Sequence, residues 1–262
     1  MASSVKVTYL DTAMVVIEVG AFRLLTDPVL DPSGAHFDYG PVQLQKTSAA
    51  AATAQRLGRI DAVLLTHDQH GDNLDNAGRE YIKSVPLVLT TPLAASRLEG
   101  VRCEGLEPWA RRILNAEGGD TLVVTAVPAQ HGPDGTEGAL GPVTGFILEH
   151  KDLAAPIYVS GDTIRFSGTE EIARRFAPVG LALLNIGKVQ LPALGDAVLS
   201  LSADEAASLA NSLKARSVVP LHFDGWEHFT EGKDAATDVF ARRAIGSDVR
   251  WLSSRQTASF QT

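Results

Sequence analysis

The pattern of apolar and polar positions divides the chain into a run of short strands, followed by alternating strands and helices. Residues 5–10, 14–19 and 22–25 read as an antiparallel meander, with a tight turn at Gly20-Ala21 joining the last two. Asp27-Pro28 and Asp31-Pro32-Ser33-Gly34 break the pattern and open a long loop through about Gln45. A loop of that length in a compact domain is more often functional or mobile than idle. His36, Phe37 and Tyr39 lie in it as candidates to line an entrance, although a surface loop without ligand contacts is the expectation. Ala49-Ala50-Ala51-Ala52 predicts a helical segment ahead of a buried strand over 60–65.

Strand and helix patterns then alternate. A strand is expected at 86–89, and Thr91-Pro92 opens a helix with proline in its first turn that Gly100 ends. Residues 103–119 carry no decisive pattern, 121–127 read as a strand, and 143–148 with 157–160 read as a hairpin. Ser167-Gly168-Thr169-Glu170 predicts a capping box, with Ile172 and Phe176 facing a core. A strand at 181–186 precedes a second box, Ser202-Ala203-Asp204-Glu205, whose helix carries the stripe Ala206, Leu209, Ala210 and Leu213. The last core strand is expected at 218–221. A helix from about Lys233 to Ala244 and a short strand near Arg250-Trp251-Leu252 close the pattern.

Composition narrows the class. A chain of 262 residues with 45% hydrophobic and 21% charged residues suits a soluble α/β protein, either one large domain or two fused halves; a single domain over 1–262 is the expectation. The formal charge of −8 argues against general affinity for nucleic acid or anionic membrane. Cys103 is the only cysteine, which excludes an intrachain disulfide and a thiolate metal cluster. The first residues show no secretory pattern and no apolar stretch approaches a membrane span, so a cytoplasmic location is expected.

The chemistry concentrates at strand ends. Thr66-His67-Asp68-Gln69-His70-Gly71-Asp72-Asn73-Leu74-Asp75 follows the apolar run at 60–65 and precedes a helix pattern from Asn76. As a plain turn it would need only Asp75 or Asn73 to cap that helix. Yet neutral imidazole and carboxylate are the ligands zinc, iron and manganese accept. Three further strand patterns end in His131, Asp162 and His222, and four of the seven histidines fall at these positions. Ligands at the carboxyl ends of strands can converge on one rim of a layered domain.

These residues resemble the metallo-β-lactamase superfamily. The motif loop is similar to its His-x-His-x-Asp-His signature, and His131, Asp162 in Ser-Gly-Asp-Thr, and His222 occur in the superfamily's order. Leu25-Thr26-Asp27-Pro28 and Val219-Pro220-Leu221-His222 resemble the ascorbate-6-phosphate lactonase-like branch of cytoplasmic hydrolases. The resemblance implies a four-layer αββα sandwich and one or two divalent ions, zinc first, with manganese or iron as alternatives. With Gln69 read as an insertion, His67, His70 and Asp72 match the motif and Asn73 stands where its last histidine belongs; a register placing Gln69 at the second histidine leaves Asp72 out of place. On the first reading His67, His70 and His131 hold one ion, Asp72 and His222 the other with Asn73 as a weak ligand, and Asp162 bridges them.

The implied activity is a metal-dependent hydrolase in which a metal-bound hydroxide cleaves an ester, lactone or related bond of a small molecule. Asp72 is expected to orient the nucleophile. His228 is a candidate proton donor to the leaving group, with Trp226 and Phe229 as pocket walls and Lys188 as a weaker candidate for binding an anionic group. A phosphodiesterase and a non-catalytic metal-binding protein are the alternatives. The expected partner is a small-molecule substrate, with neither nucleic acid nor membrane, and a homo-oligomer is left open.

Overall fold

The meander read from the first strand patterns forms, and it builds one half of a two-sheet sandwich. The computed structural model describes residues 4–49, 52–243 and 245–262. Strands β1 (Ser4–Asp11), β2 (Met14–Val19) and β3 (Phe22–Thr26) pair antiparallel. The long loop then folds into a small hairpin, β4 (His36–Asp38) with β5 (Gln43–Gln45). Next come β6 (Ala62–Leu64), helix α1 (Asn76–Ile82), β7 (Val88–Thr90), helix α2 (Pro92–Arg97) and β8 (Cys103–Gly105); the three strands extend the sheet in parallel.

The second half repeats the plan. Strands β9 (Arg111–Asn115), β10 (Thr121–Pro128), β11 (Thr144–His150) and β12 (Ile157–Val159) are antiparallel, with the short helix α3 (Glu137–Leu140) between β10 and β11. Helix α4 (Ser167–Phe176), β13 (Leu181–Asn185), helix α5 (Ala203–Ser212), β14 (Ser217–Leu221), helix α6 (Lys233–Arg242) and β15 (Asp248–Val249) continue it in parallel. The last strand, β16 (Thr257–Gln261), crosses back and pairs antiparallel with β1. The sheet orders are β16-β1-β2-β3-β6-β7-β8 and β15-β14-β13-β12-β11-β10-β9.

Side-chain alternation turns these sheets into layers. Along β2, Val15, Ile17 and Val19 enter the core between the sheets, while Met14 and Val16 enter a second core that also holds Tyr81 and Ile82 of α1. On the other sheet Tyr158, Ala182, Leu184 and Val218 face outward into a third core with Ile172, Ala206, Leu209 and Phe240 from α4, α5 and α6. The result is the expected αββα sandwich, with both sheets buried on two faces.

Several local expectations need correction. The capping box at Ser167 shifts by one residue. Phe166 is the N-cap, and Thr169 Oγ1 accepts from its N–H at 3.2 Å and donates to its carbonyl at 2.7 Å, because a hydroxyl two residues into the helix can do both. The box at Ser202 forms as expected. Of the expected helix at 49–52, Ala50 and Ala51 lie outside the described residues; Ala49 and Ala52 are not helical, and a 3-10 turn over Ala54–Arg56 follows. The expected strand at 250–252 is replaced by β15 and β16 on either side, since Trp251 packs against Phe223 and Phe240 instead. The undecided 103–119 segment supplies two edge strands, β8 and β9.

Candidate metal centre

The strand ends of both sheets meet at one edge of the sandwich. β6 delivers Thr66, whose carbonyl accepts from Thr144 N of the second sheet at 3.0 Å. Gly161 allows that approach: its φ is +61°, and a Cβ there would lie 2.8 Å from Thr144 O and 2.9 Å from Thr66 Cβ. The next residue is Asp162. β14 ends at His222, which adopts a left-handed φ of 61° and donates its backbone N–H to Thr12 O at 2.9 Å, tying the second sheet to the first.

Three imidazoles converge here. His70 Nδ1 lies 3.1 Å from His67 Nε2 and 3.2 Å from His131 Nε2. Their outer nitrogens set the tautomers. His131 Nδ1 donates to Leu199 O at 2.6 Å, which leaves Nε2 as a bare lone pair. Thr66 Oγ1 donates to Asp27 Oδ2 at 3.0 Å and accepts from His67 Nδ1 at 3.1 Å, with the same result. Lone pairs pointed at one another repel unless a cation or proton lies between them. Protons are disfavoured: burial, then the neighbouring imidazoles, holds His67 well below the usual range and His70 at about 4.

A second cluster joins the first through Asp162. Its Oδ2 lies 3.7 Å from His131 Nε2 and 3.5 Å from His222 Nε2, while Asn185 Nδ2 donates to Oδ1 at 2.9 Å. Asp72 Oδ2 lies 3.4 Å from His222 Nε2 and accepts from His228 Nε2 at 2.8 Å. Burial favours neutral carboxyls, but the surrounding imidazoles outweigh it and hold Asp72 well below the usual carboxylate range, with Asp162 also lowered. Burial likewise opposes charge on His222, yet Asp162 and Asp72 lift it to about 9. The two donor sets, His67-His70-His131 and Asp72-Asp162-His222, each bring their ligand atoms within 4.8 Å of one another. Asp72 Oδ1, Asn73 Oδ1 and His222 Nε2 are buried without a hydrogen-bond partner. Ligand-competent nitrogens and oxygens left unsatisfied in a buried site fit one or two divalent ions.

Other expected residues divide. Gln69 is turned to the backbone, accepting from Asp68 N at 2.9 Å and donating to Pro142 O at 3.2 Å, so the register that makes it a ligand has no support. Asn73 Nδ2 donates to Asp27 Oδ2 at 3.4 Å, while its Oδ1 is left unsatisfied. Tyr39 reaches the site edge, accepting from Gly71 N at 2.9 Å, and Phe37 packs on Trp226, so the long loop is built in rather than idle. Trp226 does not line the cavity beside the site: it is buried, and its Nε1 donates to Thr12 Oγ1 at 3.1 Å. Phe229 packs on the rings of His222 and His228, outside the cavity wall, and Lys188 does not line the cavity either.

Sequence reasoning gave no role to Asp27, Asn185 or Lys46. Asp27 accepts from Thr66 N at 2.7 Å as well as from its hydroxyl, and burial raises it to about 8. Like Asp162, it stands just past an apolar strand, and that shared position was the available signal. Lys46 is fully buried, with Nζ 3.0 Å from Asp11 Oδ2 and 3.7 Å from Asp75 Oδ2, which anchors the hairpin loop. Asp75 caps α1 by accepting from Gly78 N at 2.7 Å.

Comparison with known proteins agrees with this geometry. Residues 22–223 match the family model described as a β-lactamase superfamily domain. A metal-dependent hydrolase of Pyrococcus furiosus is 29% identical over 226 residues, covering 85% of this chain and 86% of its own length. Another from Caldivirga maquilingensis is 32% identical over 176 residues, 66% of this chain and 68% of its own. Among solved structures, an isothiocyanate hydrolase from Delia radicum gut bacteria superposes with a TM-score of 0.81 at 21% identity, covering 98% of this chain and 100% of its own. A metallo hydrolase from Ignicoccus hospitalis gives 0.74 at 19% identity, covering 99% and 100%. Fold, family match and relatives agree: this chain belongs to the metallo-β-lactamase superfamily and is one of its metal-dependent hydrolases.

Proposed function

We propose that the chain hydrolyses an ester, lactone or related acyl bond of a small molecule at this centre. The observation that carries the reading is that the two donor sets adjoin, with Asp162 Oδ2 of one 3.7 Å from His131 Nε2 of the other, and border a cavity of about 440 Å³. His67, His70 and His131 would hold one ion; Asp72, Asp162 and His222 would hold the other, with Asn73 as a weak ligand. Zinc is the ion expected first, with manganese or iron in its place. Divalent ions in such a site supply Lewis acidity that lowers the pKa of water and polarises the bond under attack.

The chain's own residues do the rest. Asp72 keeps a lone pair at Oδ1 to orient the attacking water. Its Oδ2 holds the Nε2 proton of His228, which leaves His228 Nδ1 as the atom that takes up a proton and returns it to the departing oxygen. Asp27, through Thr66, keeps His67 in the tautomer that bonds a metal. The lactonase-like branch is part of this reading, supported by Leu25-Thr26-Asp27-Pro28 and by the strand that delivers His222.

A small-molecule partner fits the cavity, and neither nucleic acid nor a membrane surface belongs to the reading. Among the described residues no helix is long and apolar enough to cross a membrane, and a cytoplasmic location remains part of the proposal. The test is to measure metal content, then screen esters, lactones, thioesters, phosphodiesters and β-lactams with and without chelator. Chelator-sensitive turnover of an acyl substrate is expected. Turnover of phosphodiesters alone would establish the phosphodiesterase, and no turnover in any class would favour a non-catalytic metal-binding protein.

A further inference from the structure

Resting on the hydrolase reading above, but not on the phosphorylated substrate in the name of the branch the chain resembles, we propose that the substrate is an uncharged molecule with an apolar body, not a phosphorylated or carboxylated one. The cavity has a polar floor and apolar walls. Its floor is the metal centre itself, through His70, Asp72, His131 and His228. Its walls are Val42 and Leu44 of the hairpin, Leu140 of α3, and Leu191, Leu194 and Leu199 of the segment after β13. Among the described residues lining it there is no lysine or arginine.

Lys188 does not line the cavity, and three further cations are committed elsewhere. Arg97 pairs with Asp68, and Arg79 donates to the Asp68 carbonyl, both behind the motif loop. Lys46 is enclosed by Asp11 and Asp75. Of the remaining polar lining residues, Gln69 has its amide bonded to backbone at both ends and Tyr39 accepts from Gly71 N, and neither carries a charge. An anionic substituent away from the reacting bond would therefore lose its hydration among aliphatic side chains without a counter-charge, which is costly. The formal charge of −8 adds a general repulsion. An aliphatic or aromatic body gains by the same burial.

For an ester the step balances simply. Water adds its oxygen to the acyl carbon, the acyl C–O bond breaks, and a proton passes to the departing oxygen, giving acid and alcohol. Charge appears only in the acid product, at the floor, where the cations would be.

The experiment compares p-nitrophenyl hexanoate with mono-p-nitrophenyl glutarate, two esters with one leaving group and acyl tails of similar length that differ in a terminal carboxylate. The metal-loaded protein should favour the neutral ester in kcat/KM by roughly tenfold or more. Leu194→Arg and Val42→Arg, at half-buried wall positions, should narrow or invert that ratio with metal content unchanged. A second arm does not depend on turnover. The neutral fluorophore N-phenylnaphthylamine should bind, be displaced by the neutral ester and not by the anionic one, and bind at least about tenfold more weakly to both variants. Equal or better turnover of the anionic ester, or fluorophore binding unchanged in both variants, would overturn the proposal. If the fluorophore behaves as expected while no ester is hydrolysed, the substrate class stands and the hydrolytic reading fails.

Discussion

His228 Nε2 donates to Asp72 Oδ2 at 2.8 Å, so a residue from the loop after β14 holds the acidic member of the motif loop after β6. If His228 handles a proton, His228→Ala should lower kcat by about a hundredfold or more, the usual range for a general acid or base. Metal content should fall far less than kcat, because the two donor sets do not include this ring, although losing its bond to Asp72 weakens the second set. Steady-state kinetics alongside elemental analysis will decide, and a variant with unchanged kcat would reduce His228 to packing.

Metal removal should separate the two donor sets. His67→Ala or His131→Ala deletes one of three converging imidazoles and should cost about one equivalent of metal. Full occupancy in both variants, by elemental analysis after gel filtration, would refute the assignment.

Asn73 predicts asymmetry. A carboxamide is a weaker donor than imidazole, and this one already donates to Asp27. Calorimetric titration of the metal-free protein should show two unequal sites, and Asn73→His should tighten the weaker one. Two equal, tight sites in the unmodified protein would sink the idea.

The stability of the metal-free protein should peak near pH 6.5, the ordinary histidine pKa. His70, at about 4 when folded, refuses a proton that the unfolded chain accepts, so stability is lost as pH falls from about 6.5 towards 4; His67, also lowered by burial, adds to this loss. His222, at about 9 when folded, contributes fully below about 6.5, and that contribution is lost as pH rises through 9. Asp27, raised from 3.8 to about 8, loses its contribution as pH rises between those values, so it blunts the acid-side rise and deepens the loss above about 6.5. Thermal melts of chelator-treated protein across this range should trace a maximum; a steady rise from acid to alkaline pH would contradict the assignment.

Lys46 makes a prediction about stability alone. Lys46→Met would leave Asp11 and Asp75 buried beside an uncharged side chain, a break that typically costs about 3–5 kcal/mol. Denaturant unfolding should show it, and a loss under about 1 kcal/mol would mean that the loop relaxes to let water in.

The parts legible in the sequence are those written locally. His67, His70, His131, Asp162 and His222 stand out because each follows an apolar strand, and strand ends share an edge in a layered α/β fold. The Ser202 box reads correctly because cap and helix are neighbours in sequence. Contacts across the fold are not legible in this way. Nothing near Lys46 announces that Asp11 and Asp75 will enclose it, and nothing near Trp226 shows that Thr12 will take its indole N–H and draw it from the cavity. The doubt between Gln69 and Asn73 was one of register. What bears on it is a contact across the fold: Pro142, from the other half of the chain, accepts from the Gln69 amide.

The pairing of β1 with β16, in a register running from Ser4 opposite Gln261 to Thr8 opposite Thr257, bears on how the molecule is made. A ribosome releases the first strand long before the one that covers its open edge. Until then β1 offers an unpaired row of amides and carbonyls, the kind of surface that recruits strands from other chains. The nascent chain therefore carries an aggregation hazard at β1 until β16, far later in the sequence, has been made. Pulse-labelled hydrogen exchange during refolding should find the amides of β1 that face β16 among the last to gain protection.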